Sequence, residues 1–411
     1  MPSEGWSPTP SLGPGDAAGR EARVAGCGPA PAGWGIVTAS PVAHLGSLTS
    51  LRFAAALLVV VFHLSLVAPG LGQLGRLAAA GYVGVTFFFV LSGFVLTYSW
   101  GGDATAPRFY RRRFARIYPV HVLFVALAML PWGATPNWGA LPANLALLQA
   151  WSPDDAVARS FSGVSWSLSC EFFFYATFPI LVRVFLRWVR RPLLVGAATV
   201  ALAFAVGVAM QRHDPEWGAW LFHLPAFRMV EFVAGSLAAL AISRGWVPRL
   251  RVRWAGVFVV ISYLSVLVIP LAIGYRFEDR WALSLAMVPS LVMLIAVCAH
   301  VDLVGAPSPL QGRTVVSLGQ WSFCIYMAHP FVLGFTQPLL ASAGVFGSLL
   351  GCALVVLAAV GVSFVLHVAV ERPVERRLRG AGDARASGAV DTACEEEPVP
   401  LVTRPSVLAT N

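Results

Sequence analysis

Apolar residues in this chain come in long unbroken runs, separated by short stretches rich in glycine, proline and arginine. Ten runs stand out, at about 51–69, 80–100, 117–132, 166–182, 193–210, 220–243, 254–272, 281–301, 315–340 and 346–370. As a helix, a run of about 20 apolar residues crosses the hydrocarbon core of a bilayer. The pattern therefore predicts an all-α, polytopic integral membrane protein with about ten transmembrane helices. The third run is short, and 141–151 behind it reads as a half-helix or interfacial segment. Residues 1–45 are rich in Pro, Gly, Ala and Ser with no run resembling a signal peptide, and are expected to form a flexible tail. Residues 380–411, with Glu395, Glu396 and Glu397, read as a second tail, which leaves 46–379 as the membrane domain.

Composition agrees with the pattern. Of 411 residues, 57% are hydrophobic and only 12% charged, about half the charged share of a soluble domain. All 29 basic residues are arginine; with 20 acids the net charge is +9. A GC-rich genome explains an absence of lysine, so placement says more than number. With the N-terminus in the cytoplasm, 22 arginines fall on inner segments and five (Arg76, Arg159, Arg212, Arg276, Arg280) on outer loops. That bias favours an N-in, C-in arrangement. Arg52 and Arg228 fall at or within spans. The six cysteines are scattered, which suggests neither a metal site nor a disulfide framework.

An ionisable group in hydrocarbon needs a partner or a task. Arg52 and His63 lie 11 residues apart, almost three helical turns, and so share one face of the first span. Taken singly, an anchoring arginine and a core histidine would be ordinary; together on one apolar face they suggest a lined cavity. The second run, Gly81 to Leu96, carries Gly81, Gly84, Ser92 and Gly93, which let a neighbouring helix approach closely. Arg113 and Arg116 share a face at the inner edge, as an anchor or as a clamp for phosphates. Glu171 opens the fourth run, with Ser167 and Tyr175 four residues to either side. Arg228 and Glu231 read as an internal structural pair. Ser322, Tyr326 and His329 share a face just before Pro330. His121, His300 and His367 have no comparable company.

The sequence contains no phosphate-binding loop of the GxxxxGK[ST] type, no HExxH and no GxSxG. The arginines hug apolar spans, so they meet lipid headgroups rather than nucleic acid. In combination, the stretches above resemble the integral-membrane acyltransferase 3 family over about 46–375. The matching features are Arg52 and His63 separated by ten residues, the glycine-rich second span, Arg113-x-x-Arg116, Trp166–Glu171, Ile325–Pro330 and Glu371–Pro373, in that order. One position departs: where the family usually has aspartate after Gly-Val in the second span, this chain has Thr86.

The resemblance implies a bacterial O-acyltransferase of the cytoplasmic membrane that moves an acetyl or other short acyl group from acyl-CoA, used as a donor substrate and not as a tightly held cofactor, to a hydroxyl of a sugar-containing acceptor. Envelope glycans and glycosylated natural products such as macrolides are the acceptor classes it suggests. Within that frame Arg113 and Arg116 are expected to bind the donor, His63 to act as general base with Arg52 and Glu171 in support, and Ser167, Tyr326 and His329 to contact substrate. A transporter or flippase that uses intramembrane Arg, Glu and His as a substrate or proton path is the reading from another class.

Overall fold

The structure is a computed structural model that describes residues 45–100, 106–130, 137–273 and 279–379. The two expected tails, the Glu395–Glu397 cluster and Arg276 lie outside the described residues. No strand occurs among the described residues. Ten long helices follow in order: α1 (Gly46–Val67), α2 (Val83–Tyr98), α3 (Ala106–Ala128), α4 (Trp166–Trp188), α5 (Pro192–His213), α6 (Pro225–Ser243), α7 (Val252–Ile273), α8 (Arg280–Leu303), α9 (Arg313–Ala341) and α10 (Val345–Leu366). A π-helical turn over His367–Glu371 leads into a short basic helix, α11 (Arg372–Arg379). A helix satisfies its own backbone, which is why runs without alternating polarity become helices in an apolar solvent. Seven of the described helices are long and apolar enough to cross a bilayer: α1, α4, α5, α6, α8, α9 and the Val345–Val374 stretch that contains α10.

The ten helices fall on the ten expected runs with two differences. The expected sixth run, 220–243, is broken at Leu224, where Pro225 starts a new helix, into a short helix Trp217–His223 and α6. The third element starts at Ala106, about three turns before the expected 117, so Arg111 to Arg116 are part of a helix and not of a preceding loop. Charge masked this start in the hydropathy pattern.

The helices are not equivalent. About two-thirds of α6 (67%) and α8 (61%) is enclosed by protein, against 17% for α5 and for Val345–Val374. The enclosed helices pack through small residues. Gly93 of α2 and Gly235 of α6 face each other's backbone: a Cβ on Gly93 would collide with the Phe232 carbonyl, and one on Gly235 with the Val90 carbonyl. Between α2, α4 and α6, the fully buried Phe174 then meets Phe89 edge-on and Phe232 at a tilt, each with ring centroids 5.1 Å apart. Helix α9 lies along α1 in the same close manner, and Gly319 sits against the Thr49 carbonyl.

The stretch expected to be a half-helix is a series of short helical turns, Trp138–Ala140, Leu141–Leu145, Gln149–Trp151 and Asp155–Ala158. It tucks into the bundle because two buried amides replace water for it. Asn144 donates to Ser160 Oγ (2.6 Å) and Gln149 donates to the Ser165 carbonyl (3.0 Å). His121, from α3, reaches the Asn144 carbonyl at 2.8 Å.

Arg228 and Glu231 form the internal pair that their spacing suggests, 3.1 Å apart and almost wholly buried. Thr86 bridges them: its hydroxyl accepts from Arg228 Nη2 (3.2 Å) and donates to Glu231 Oε1 (3.3 Å). The guanidinium also stands against the rings of Phe89, Phe222 and Trp166, at 5.3, 5.4 and 5.8 Å. Removing one member of such a pair strands the other charge, whereas removing both does not. Glu231→Leu should therefore cost about 3 kcal/mol of stability, and the Arg228→Leu/Glu231→Leu double variant clearly less, as read by thermal unfolding in detergent. Gly93→Val should prevent α2 and α6 from closing and yield protein that unfolds without a cooperative transition.

Candidate active site

Helix α9 faces α1 with two polar contacts. Arg52 Nε donates to Ser322 Oγ at 3.2 Å. Eleven residues further along α1, the His63 and His329 rings meet, Nδ1 to Nε2 at 3.3 Å, with centroids 4.9 Å apart. Between these contacts Tyr326 turns toward α4: its hydroxyl lies 2.9 Å from Ser167 Oγ and donates to the Val164 carbonyl at 3.0 Å. One turn further along α4, Glu171 Oε2 accepts from Tyr175 at 2.9 Å. The 4-then-3 spacing of Ser322, Tyr326 and His329 thus serves two neighbours, α1 on one side and α4 on the other.

Helix α3 closes the arginine-rich end. The Arg113 guanidinium lies 5.8 Å from the Tyr175 ring and 5.7 Å from Phe109. Glu171 is within electrostatic reach of Arg116, Arg52 and Arg113. Arg116 also acts on Glu371 of the π-helical turn. Glu371 Oε2 is held by His367 Nδ1 at 2.8 Å and accepts from the Cys324 thiol at 3.2 Å. Five segments distant in sequence therefore contribute to one polar seam inside an apolar bundle.

Exposure divides the seam. Arg52, His63, Arg113, Arg116 and Glu171 are half-buried. Ser322 and His329 are fully buried, and Ser167, Tyr175 and Tyr326 nearly so. The first group keeps some accessible surface, and within the second Ser322 and His329 hold Arg52 and His63.

The seam also separates residues that spacing had grouped. Arg52 and His63 both address α9 but stand at opposite ends of the seam. Arg52 belongs with Arg116, Glu171, Tyr175 and Glu371. The charges that reach His63 come from Arg159 and Arg280, and Arg280 itself lies over Phe62 and Tyr82. Glu171 turns to Tyr175, and the partner of His63 is His329. The reason is geometric: α9 runs beside α1 for most of its length, while α4 meets the seam near the arginines.

Glu371 and His367 carry little local signal in the sequence: their four-residue spacing at the end of an apolar run is all that marks them. Thr86 and Glu231 meet only through the α2–α6 contact, which no local pattern announces.

The family described as Acyltransferase domain (Acyl_transf_3) matches residues 45–368. Acyltransferase MdmB of Streptomyces mycarofaciens is 31% identical over 400 residues, covering 87% of this chain and 98% of that protein. Exopolysaccharide production protein ExoZ of Rhizobium meliloti is 28% identical over 318 residues, 73% of this chain and 91% of the relative. Peptidoglycan O-acetyltransferase OatA of Listeria monocytogenes is 26% identical over 192 residues, 41% of this chain and 29% of the relative. No solved structure matches the chain. With a match over most of its length and a multi-pass helical bundle to house the seam, the chain belongs to the Acyltransferase domain (Acyl_transf_3) family and is a membrane acyltransferase.

Proposed function

We propose that this protein transfers an acetyl or other short acyl group from acyl-CoA to a hydroxyl of a sugar-bearing acceptor, in the plasma membrane of a bacterium. The observation that carries the reading is the seam itself. It joins a cluster of arginines at one end to a half-buried histidine at the other, through an otherwise apolar bundle. Acyl-CoA has matching parts: a phosphate-bearing head that guanidinium forks suit, and a long unbranched arm that ends in the thioester. Arg113 and Arg116 take the phosphates. Arg52, held by Ser322 and facing Glu171, steers the arm. The thioester then reaches His63, roughly 16 Å along α1 from Arg52 by helical rise.

At His63 the chemistry is a proton transfer coupled to acyl transfer. The imidazole removes the proton from the acceptor hydroxyl as the oxygen attacks the thioester carbon. The tetrahedral intermediate collapses, the C–S bond breaks, and the coenzyme A thiolate recovers the proton from the imidazolium. The products are an ester and free coenzyme A, with no other reactant. Glu171 balances the positive charge of Arg52, Arg113 and Arg116, and Ser167 and Tyr326 line the acceptor side of the path.

For the acceptor, the names of two relatives point to a glycan: OatA is a peptidoglycan O-acetyltransferase and ExoZ an exopolysaccharide production protein. MdmB, aligned over 98% of its length, is named only as an acyltransferase, and a glycosylated natural product such as a macrolide is the second acceptor class to test.

Membranes carrying the protein, incubated with labelled acetyl-CoA and a panel of peptidoglycan fragments, exopolysaccharide and macrolide glycosides, should label one acceptor class. Acceptor flux across the membrane without labelling would instead support a transporter. Replacing His63 with alanine should lower transfer by about 100-fold or more. In the same assay, Arg113→Gln/Arg116→Gln should raise KM for acetyl-CoA about tenfold while kcat falls less; an unchanged KM would remove the arginines from donor binding.

A further inference from the structure

The contacts around His63 and His329 fix which ring nitrogen carries hydrogen. His63 Nδ1 lies 2.9 Å from the Val59 carbonyl. A carbonyl oxygen only accepts, so Nδ1 bears the hydrogen and the lone pair of the neutral ring sits on Nε2. His329 obeys the same constraint. Its Nδ1 faces the Ile325 carbonyl at 3.3 Å, and the Tyr326 carbonyl lies close to the same ring.

The Tyr326 carbonyl is available for a reason legible in the sequence. It would normally receive the amide hydrogen four residues on, but that residue is Pro330, which has none. His329 therefore carries hydrogen on Nδ1 and presents its Nε2 lone pair to His63 Nδ1, 3.3 Å away. The contact is N–H···N, with the one Nδ1 hydrogen of His63 shared between the Val59 carbonyl and His329 Nε2. The opposite tautomer of His63 would set two lone pairs against each other and leave Val59 without this donor.

We propose that His329 is the positioning residue of His63: it accepts the Nδ1 hydrogen, holds the ring in one tautomer and leaves His63 Nε2 as the atom that takes the acceptor's proton. The role matches that of the orienting carboxylate in a nucleophile–histidine–acid triad, performed here by a neutral ring. A neutral partner suits the position, because His329 is fully buried in a span where a carboxylate would carry a large desolvation cost. Once Nε2 has taken a proton, the Nδ1–H becomes a stronger donor, and the His329 lone pair receives it without moving. The proposal rests on the acyl-transfer reading for its kinetic consequences; the tautomer it assigns stands apart from any activity.

Two measurements test it. In the full-length protein, labelled with ¹⁵N-histidine and held in membranes, His63 should show hydrogen on Nδ1 and a nitrogen–nitrogen coupling to His329 Nε2. That coupling should vanish in His329→Phe. A His63 ring protonated on Nε2 instead would overturn the proposal, whatever the enzyme does. In acyl transfer from labelled acetyl-CoA, His329→Phe should lower kcat about 100-fold with KM for acetyl-CoA unchanged. His329→Gln, whose carbonyl oxygen can accept the same hydrogen, should recover most of that loss. Equal rates for the Phe and Gln variants, or a wild-type kcat in His329→Phe, would also overturn it. A wild-type protein that labels none of the acceptors would defeat the acyl-transfer reading while the tautomer measurement still decides the pairing.

Discussion

An ionisable side chain in hydrocarbon has no water to fall back on, so its partner must come from another helix. In this protein that requirement is met by the closeness of α1 to α9. Gly319 lets the two backbones touch, and the contact brings Ser322 to Arg52 and His329 to His63. The rest of the seam depends on that pairing. Tyr326 can turn to Ser167, and Arg52 can sit among Glu171 and Arg116, only because α9 is already in place. The tight α2–α6 crossing does comparable work for the buried Arg228, Thr86 and Glu231.

The two polar systems are built differently. The Arg228 pair is sealed by three aromatic rings and a threonine hydroxyl, and nothing in it is open to a ligand. Thr86 is neutral and Glu231 is the carboxylate that pairs with Arg228, so the local charge balances. The seam between α1, α3, α4 and α9 instead leaves its charged members half-buried. One arrangement locks helices together, and the other keeps reactive groups within reach of substrate.

The two ends of the seam are charged differently. Where α3 and α4 meet the π-helical turn, Arg52, Arg113 and Arg116 are offset by Glu171 and Glu371. The charges that act on His63 are the cations Arg159 and Arg280. The π-helical turn supplies one of the carboxylates, because it brings His367 and Glu371 inward against Cys324 before α11 packs against α3.

Much of this protein was legible in the order of its residues. Unbroken apolar runs determined helices, because only a helix closes its own backbone bonds in lipid, and these runs also located most of the elements to within a turn or two, the arginine-rich start of α3 being the exception. The polar residues inside them, Arg52, His63, Glu171, Tyr326 and His329, stood out for the same reason: each costs too much there to be incidental. Tertiary structure decided who meets whom. Helical spacing places Arg52 and His63 on one face, but it does not say that α9 covers that face, that His329 and not Glu171 reaches the histidine, or that Arg52 joins the arginines of α3. Spacing along one helix describes a face, while partnership depends on which helix packs against it. That choice is made by glycine contacts and ring packing between segments up to 270 residues apart.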